Sequence, residues 1–254
     1  MSINKLSMIA LAMMLCGCGQ EEVNVPKTAL TKAERSLYAL RGADQSWPGT
    51  GDANITFSDN LEARNFYVVF DGSGSMNSTG CGDGNRRISV AKNSVKEFFS
   101  VLPEETNAGL LVFDIRGINQ VAPIQKVNKT LLNESVTNIS VGGNTPLGES
   151  LKIASEQLTI QAQKQQGYGE YHLVVITDGE SSDGDYMNTM VSDISANTPI
   201  NIHTIGFCLG ASHALNKEGV INYSSASNSS QLLSSLKAVL AESPSFDATE
   251  FKGG

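Results

Sequence analysis

Four short apolar runs constrain this chain most: "NFYVVF" (65–70), "GLLVF" (109–113), "HLVVI" (172–176) and "INIHTIGF" (200–207). The first three are apolar almost throughout, where a half-exposed strand would alternate. Such runs fit strands buried on both faces of a parallel sheet. Between them the apolar period becomes that of a helix. Residues 87–102 set Ile88, Ala91, Val95, Phe98, Phe99 and Leu102 on one stripe, and residues 145–160 do so with Leu147, Leu151, Ala154 and Leu158. Met187, Met190, Val191 and Ile194 form a third stripe, and Leu232, Leu233, Leu236, Val239 and Leu240 a fourth. Strands alternating with amphipathic helices predict an α/β fold, an open and mostly parallel sheet with helices on both faces and right-handed crossovers. Two weaker strands are expected around Ile124–Val127 and Val220–Tyr223. Sheets of this kind bind ligands beyond the carboxyl ends of their strands.

Those ends carry oxygen chemistry. Asp71-Gly72-Ser73-Gly74-Ser75 follows the first run, Thr145 precedes Pro146 and a helix in "GGNTPLGESL", and Asp178 ends the third run in "VVITDGES". Each junction has a local explanation. Thr before Pro at a helix start is ordinary capping, and Thr-Asp-Gly after a strand is ordinary turn chemistry. Together they place two carboxylates and three hydroxyls on one edge of the sheet, without Cys or His. Oxygen-only ligation is what hard cations prefer. A buried aspartate at a strand end is costly by itself, and a divalent ion offsets that cost. Gly72 and Gly74 are expected to let the backbone turn tightly enough to aim Ser73 and Ser75 at one atom.

These motifs, Asp-x-Ser-x-Ser after a first strand, Thr in a Gly-Gly-Asn-Thr-Pro-Leu-Gly loop and Asp in Ile-Thr-Asp-Gly, resemble the von Willebrand factor type A domain and its metal-ion-dependent adhesion site. The resemblance covers about residues 65–242, and "NYSSASNSSQLLSSL" looks like the family's last strand and helix. It implies a Rossmann-like sheet, and a domain is expected over 64–242. It also implies that Ser73, Ser75 and Thr145 give hydroxyl oxygens directly to Mg²⁺, while Asp71 and Asp178 sit mainly behind them, holding waters and orienting the hydroxyls. Mn²⁺ or Ca²⁺ are the alternatives. One coordination position is then left for the Asp or Glu carboxylate of a protein partner. The chain departs from the family in "NSTGCGDGN" (77–85), which lengthens the loop before the first helix and adds Cys81. Cys208 ends a strand on the same face, so a Cys81–Cys208 disulfide is expected, with two buried thiols as the alternative. "ESSDGD" (180–185) offers Asp183 and Asp185, read as a solvated helix start rather than a second cation site.

The N-terminus, "MSINKLSMIALAMMLCGCGQ", has a short basic start at Lys5, an apolar stretch from Met8 to Leu15 and small residues after it. That is the layout of an export signal, and it is too short for a permanent membrane span. Leu15-Cys16-Gly17-Cys18 resembles a bacterial lipoprotein box, which implies a signal peptide over 1–17 and lipid attachment at Cys18. Gly19 after the cysteine suggests the outer membrane. Residues 18–63 are expected to form a tether, in which Trp47 either docks on the domain or stands in solvent, and 243–254 a C-terminal tail.

A net charge of −8 with no basic run argues against nucleic acid as a partner. Three function classes remain. The first is a non-catalytic, membrane-anchored module of the bacterial cell envelope that grips a protein through its metal. The second is a structural subunit of an envelope or surface-appendage complex. The third, a metal-assisted hydrolase with Ser73 or Ser75 as nucleophile, lacks a histidine in the motifs; His172 and His203 belong to strands, and only His213, in a loop, is a candidate base. The chain has neither a G-x-S-x-G elbow nor a P-loop.

Overall fold

A computed structural model describes residues 46–51, 54–210 and 212–241. The expected export signal, Cys18, the first part of the expected tether and the expected C-terminal tail lie outside the described residues.

Six strands form one sheet in the order β3-β2-β1-β4-β5-β6. They are β1 (Arg64–Asp71), β2 (Asn107–Asp114), β3 (Gly117–Lys126), β4 (Glu170–Thr177), β5 (Asn201–Phe207) and β6 (Asn222–Ala226). All neighbours pair in parallel except β2 and β3, which form an antiparallel hairpin. The weak strand expected at 124–127 is therefore the far end of a longer edge strand. Its apolar signal is faint because β3 is mostly exposed. The last strand begins at Asn222 rather than at Val220, because Val220 and Ile221 turn back onto the Lys217 carbonyl.

The helices are α1 (Arg87–Val101), α2 (Lys129–Thr137), α3 (Leu147–Lys164), α4 (Gly184–Asn197) and α5 (Ser229–Ala241). The pleat of β1 divides the core in two. Phe66, Val68 and Phe70 face the stripes of α1, α2 and α5, while Tyr67 and Val69 face α3 and α4. Both faces of the central strands are covered, which explains the unbroken apolar runs. No described helix is long and apolar enough to cross a membrane.

The tether expected over 18–63 gives up its last part to the domain. Trp47 packs edge-on against Tyr171 with ring centroids 5.0 Å apart, and its indole N–H donates to Thr159 Oγ1 at 3.2 Å. Gln163 Nε2 donates to the Pro48 carbonyl at 3.0 Å, Ser58 N to the Lys164 carbonyl at 2.9 Å, and Gln165 Nε2 to the carbonyls of Leu61 and Ala63. An aromatic ring in a Pro/Gly context gives no sequence sign of the α3–β4 notch it occupies.

Candidate metal centre

The order of strands reverses around β1, whose neighbours β2 and β4 are reached by connections on opposite sides of the sheet. A crevice opens at such a point beyond the strand ends. Asp71 ends β1 there and is fully buried. Its Oδ1 accepts from Ser73 N at 2.7 Å, and its Oδ2 accepts from Thr177 Oγ1 at 2.6 Å. Burial pushes the carboxyl up to about 6, against the pull of the bonds from Ser73 and Thr177, and the nearby Asp178 charge adds to the rise.

The chain then enters a single 3₁₀ turn, Gly74–Asn77, which carries Ser75 into solvent. Ser73 Oγ and Ser75 Oγ stand 3.0 Å apart, and Ser75 Oγ donates to Asp178 Oδ1 at 2.6 Å. Gly72 is required by packing: a β-carbon there would lie 2.9 Å from Asp114 Cβ and 3.0 Å from the carbonyls of Phe113 and Ser140. Gly74 is not required in this way, contrary to expectation. A β-carbon at 74 would meet nothing nearer than the Gly143 carbonyl at 3.8 Å, and its φ is not positive.

Thr145 arrives on the loop between α2 and α3, a helix-to-helix connection rather than the expected strand-to-helix junction, because the unforeseen helix α2 intervenes after β3. The amides of Gly142 and Gly74 tie this loop to the first, the former donating to the Gly72 carbonyl at 2.8 Å and the latter to the Gly143 carbonyl at 3.2 Å. Asp114, at the end of β2, holds the same loop by accepting from Ser140 N at 3.0 Å, and is itself paired with Arg116. The residue beginning the turn into α3 is Pro146, with no side-chain cap, so the Thr145 hydroxyl is not spent on capping as its sequence context suggests. Among the described residues it has no hydrogen-bond partner. A β-carbon built at Gly179 would stand 3.5 Å from Ser75 Oγ and 3.8 Å from Thr145 Oγ1. The two hydroxyls thus flank one small notch, kept clear by the absence of a side chain at 179. Among the described residues no cluster of three or more His, Cys, Asp or Glu side chains is present, so any cation held here is held by hydroxyls with carboxylate support.

Residues 65–249 match the von Willebrand factor type A domain. The chain belongs to this family. YwmD of Bacillus subtilis is 32% identical over 171 residues, covering 61% of this chain and 73% of YwmD. Two similar solved structures are the PilB minor pilin of Streptococcus sanguinis (TM-score 0.57, 14% identity, 73% of this chain and 62% of PilB) and a manganese-loaded TRAP protein of Plasmodium vivax (TM-score 0.53, 17% identity, 70% of this chain and 73% of TRAP). At these identities the likeness is one of fold.

Several residues that shape the site of this type A domain carry no motif. Thr177 fixes Asp71, as above. Arg87, the first residue of α1, pairs through Nη1 with Asp178 Oδ2 at 2.9 Å, donates through Nε to the Gly80 carbonyl at 3.0 Å, and reaches Cys208 Sγ through Nη2 at 3.1 Å. Cys81 and Cys208 are joined in a disulfide, with Cα atoms 5.6 Å apart. Both cysteines have positive φ, 59° and 64°, a region L-residues enter at a cost.

Asp183 corrects the expectation of a solvated helix start. Its carboxylate accepts from Gly148 N at 2.9 Å and Glu149 N at 3.0 Å, so it caps α3 across space rather than its own helix. Ser182 N also donates to the Thr145 carbonyl at 2.9 Å, which ties the loop after Asp178 to Thr145. His213 is buried and bonded through both ring nitrogens. Leu215 N donates to Nδ1 at 3.1 Å, and Nε2 lies 3.0 Å from the Gly179 carbonyl, which fits a neutral ring donating from Nε2. It therefore acts as a strut for the Asp178–Gly179 turn, and neither nitrogen is left for a substrate proton.

Proposed function

We propose that this protein is a non-catalytic, metal-dependent binding module of the bacterial cell envelope, anchored through a lipid on Cys18, that grips a protein partner by its Asp or Glu carboxylate. The observation that carries the reading is the placement of the Ser75 and Thr145 hydroxyls around one notch, with Ser73 Oγ 3.0 Å from Ser75 Oγ and the Asp71 and Asp178 carboxylates behind the two serines. The donor set fits a hard dication: every donor is oxygen, and the Thr145 hydroxyl has no protein partner among the described residues. Ser73 Oγ and Ser75 Oγ, 3.0 Å apart and bonded to each other, are close enough to turn to one cation, with Mg²⁺ first and Mn²⁺ or Ca²⁺ as the alternatives. Ser73, Ser75 and Thr145 would be the direct ligands. A bound ion would supply a Lewis-acidic position for an incoming anion.

The chain's own residues do the positioning. Asp71 aligns the Ser73 backbone, Thr177 holds Asp71, and Asp178 orients Ser75. Neutral direct ligands would leave most of the ion's charge for the partner's carboxylate. The likeness to a minor pilin supports a surface role, and the manganese-loaded neighbour supports a divalent metal. The pilin likeness also supports the second reading, a subunit of a surface appendage.

The test is capture of envelope proteins on the purified domain in Mg²⁺ and in EDTA, beside a Ser73→Ala/Ser75→Ala variant. Retention that needs both Mg²⁺ and the serines is expected; equal retention in EDTA would overturn the reading. Radiolabelled palmitate incorporated in the native chain and lost in Cys18→Ser checks the anchor.

A further inference from the structure

We infer that Arg87 is a positioning residue that cancels the charge of Asp178, so that the site holds its cation loosely and leaves it charged toward a ligand. The inference rests on the metal-binding reading above. It comes from the guanidinium's three anchors. Nη1 lies 2.9 Å from Asp178 Oδ2, Nε lies 3.0 Å from the Gly80 carbonyl, and Nη2 lies 3.1 Å from Cys208 Sγ. An arginine with each of its nitrogens held cannot swing away as a solvated surface arginine does. Its side chain is only 16% exposed and that of Asp178 is fully buried, so the pair is poorly screened.

The surrounding chain is built to keep this cation in place. Arg87 N donates to the Ser78 carbonyl at 2.8 Å, closing the inserted loop on itself. The disulfide from Cys81, next to Gly80, runs to the same Cys208 that the guanidinium touches. The loop of residues 77–85 and its disulfide therefore hold one fixed positive charge beside Asp178.

The electrostatic consequence has a definite sign. Two carboxylates, Asp71 and Asp178, lie behind the serine hydroxyls, and Arg87 offsets the charge of one of them. A dication arriving at a site of net charge −1 is bound less tightly than at −2, and more of its charge remains for a carboxylate ligand. A unit charge acting on a dication from about 7 Å changes its affinity by roughly five- to tenfold even at the dielectric of bulk water, and by more where screening is poor. A guanidinium that served only to pin the loop would act in the opposite direction, since its loss would disorder the site and weaken binding.

The experiment uses the disulfide-intact protein and Mn²⁺ alone as the probe, with free Mn²⁺ counted by electron paramagnetic resonance. Arg87→Gln and Arg87→Met remove the charge, while Arg87→Lys keeps it and loses the fork. Thermal melts establish that each variant is folded. The expected result is a Kd at least about fivefold lower than wild type in Arg87→Gln or Arg87→Met, with Arg87→Lys within about twofold of wild type. Binding that is unchanged or weaker in the folded charge-free variants overturns the inference, and in that case wild-type binding abolished by Ser73→Ala leaves the metal site standing. A wild-type protein that takes up no Mn²⁺ overturns both.

Discussion

Thr177 Oγ1 donates to Asp71 Oδ2 at 2.6 Å across the β1–β4 pair, 106 residues apart in the chain. The parallel register sets Phe70 beside Ile176, so the next residue on each strand falls at the same sheet edge. The carboxylate has its other oxygen on the Ser73 amide. The threonine thus decides whether a fully buried acid has both oxygens satisfied.

Replacing Thr177 by Val keeps the shape and removes the donor. An unsatisfied buried carboxylate oxygen costs about 1–3 kcal/mol, which for a domain of this size lowers Tm by roughly 3–10 °C. Thr177→Ser should restore most of the loss. Differential scanning calorimetry of the three proteins in EDTA checks this; a Val variant as stable as wild type would show that the bond contributes little.

The disulfide joins Cys81 to Cys208 over 127 residues. A closed loop of that length confines the unfolded chain, and losing it costs about 2–4 kcal/mol. The double variant Cys81→Ser/Cys208→Ser should therefore melt roughly 5–15 °C lower. The strain of two left-handed residues is released at the same time and reduces the difference. Melting curves with and without reductant should reproduce the shift in the native protein and leave the double variant unmoved.

Stability should fall as the pH drops from about 6.5 to about 4. His172 Nδ1 and His203 Nε2 lie 3.1 Å apart on β4 and β5, with the His172 ring stacked on Phe66. Burial holds each ring down at about 4, helped by Arg64 near His172 and by His172 beside His203. Glu170, 3.5 Å from His172 Nε2, is the facing acid. Folded-state values below the free value mean that the unfolded chain binds more protons as the pH falls, so acid favours unfolding. Asp71 acts the other way, since its raised value lets the folded state take up a proton near pH 6. Two groups against one leave a net loss on the order of a few kcal/mol. Urea midpoints measured in EDTA from pH 7 to pH 4 should decline through this window; a flat profile would contradict two rings buried neutral.

The fold was legible because burial on both faces writes itself into composition. "NFYVVF" and "HLVVI" are strands that never meet water, and the helical stripes beside them are their covers. The edge strand β3 was half missed for the converse reason, since an exposed strand has no apolar signature. Trp47 was undecidable from its neighbours, because the Tyr171 ring and Thr159 hydroxyl that receive it lie over a hundred residues away.

The sequence by itself determined the layered α/β architecture and singled out five oxygen-bearing residues, Asp71, Ser73, Ser75 and Asp178 beside strand ends and Thr145 in a loop between helices. Both are written in local patterns: apolar period in one case, and side-chain type in a loop leading into a helix in the other. Only the tertiary structure decided what holds those residues. It placed Thr177 on Asp71, Arg87 and the disulfide behind Asp178, and Asp183 on the start of α3 beside Thr145. Each of these depends on strand register or on the direction of a loop. Those are settled by packing summed over the whole core, and no short stretch of sequence records them.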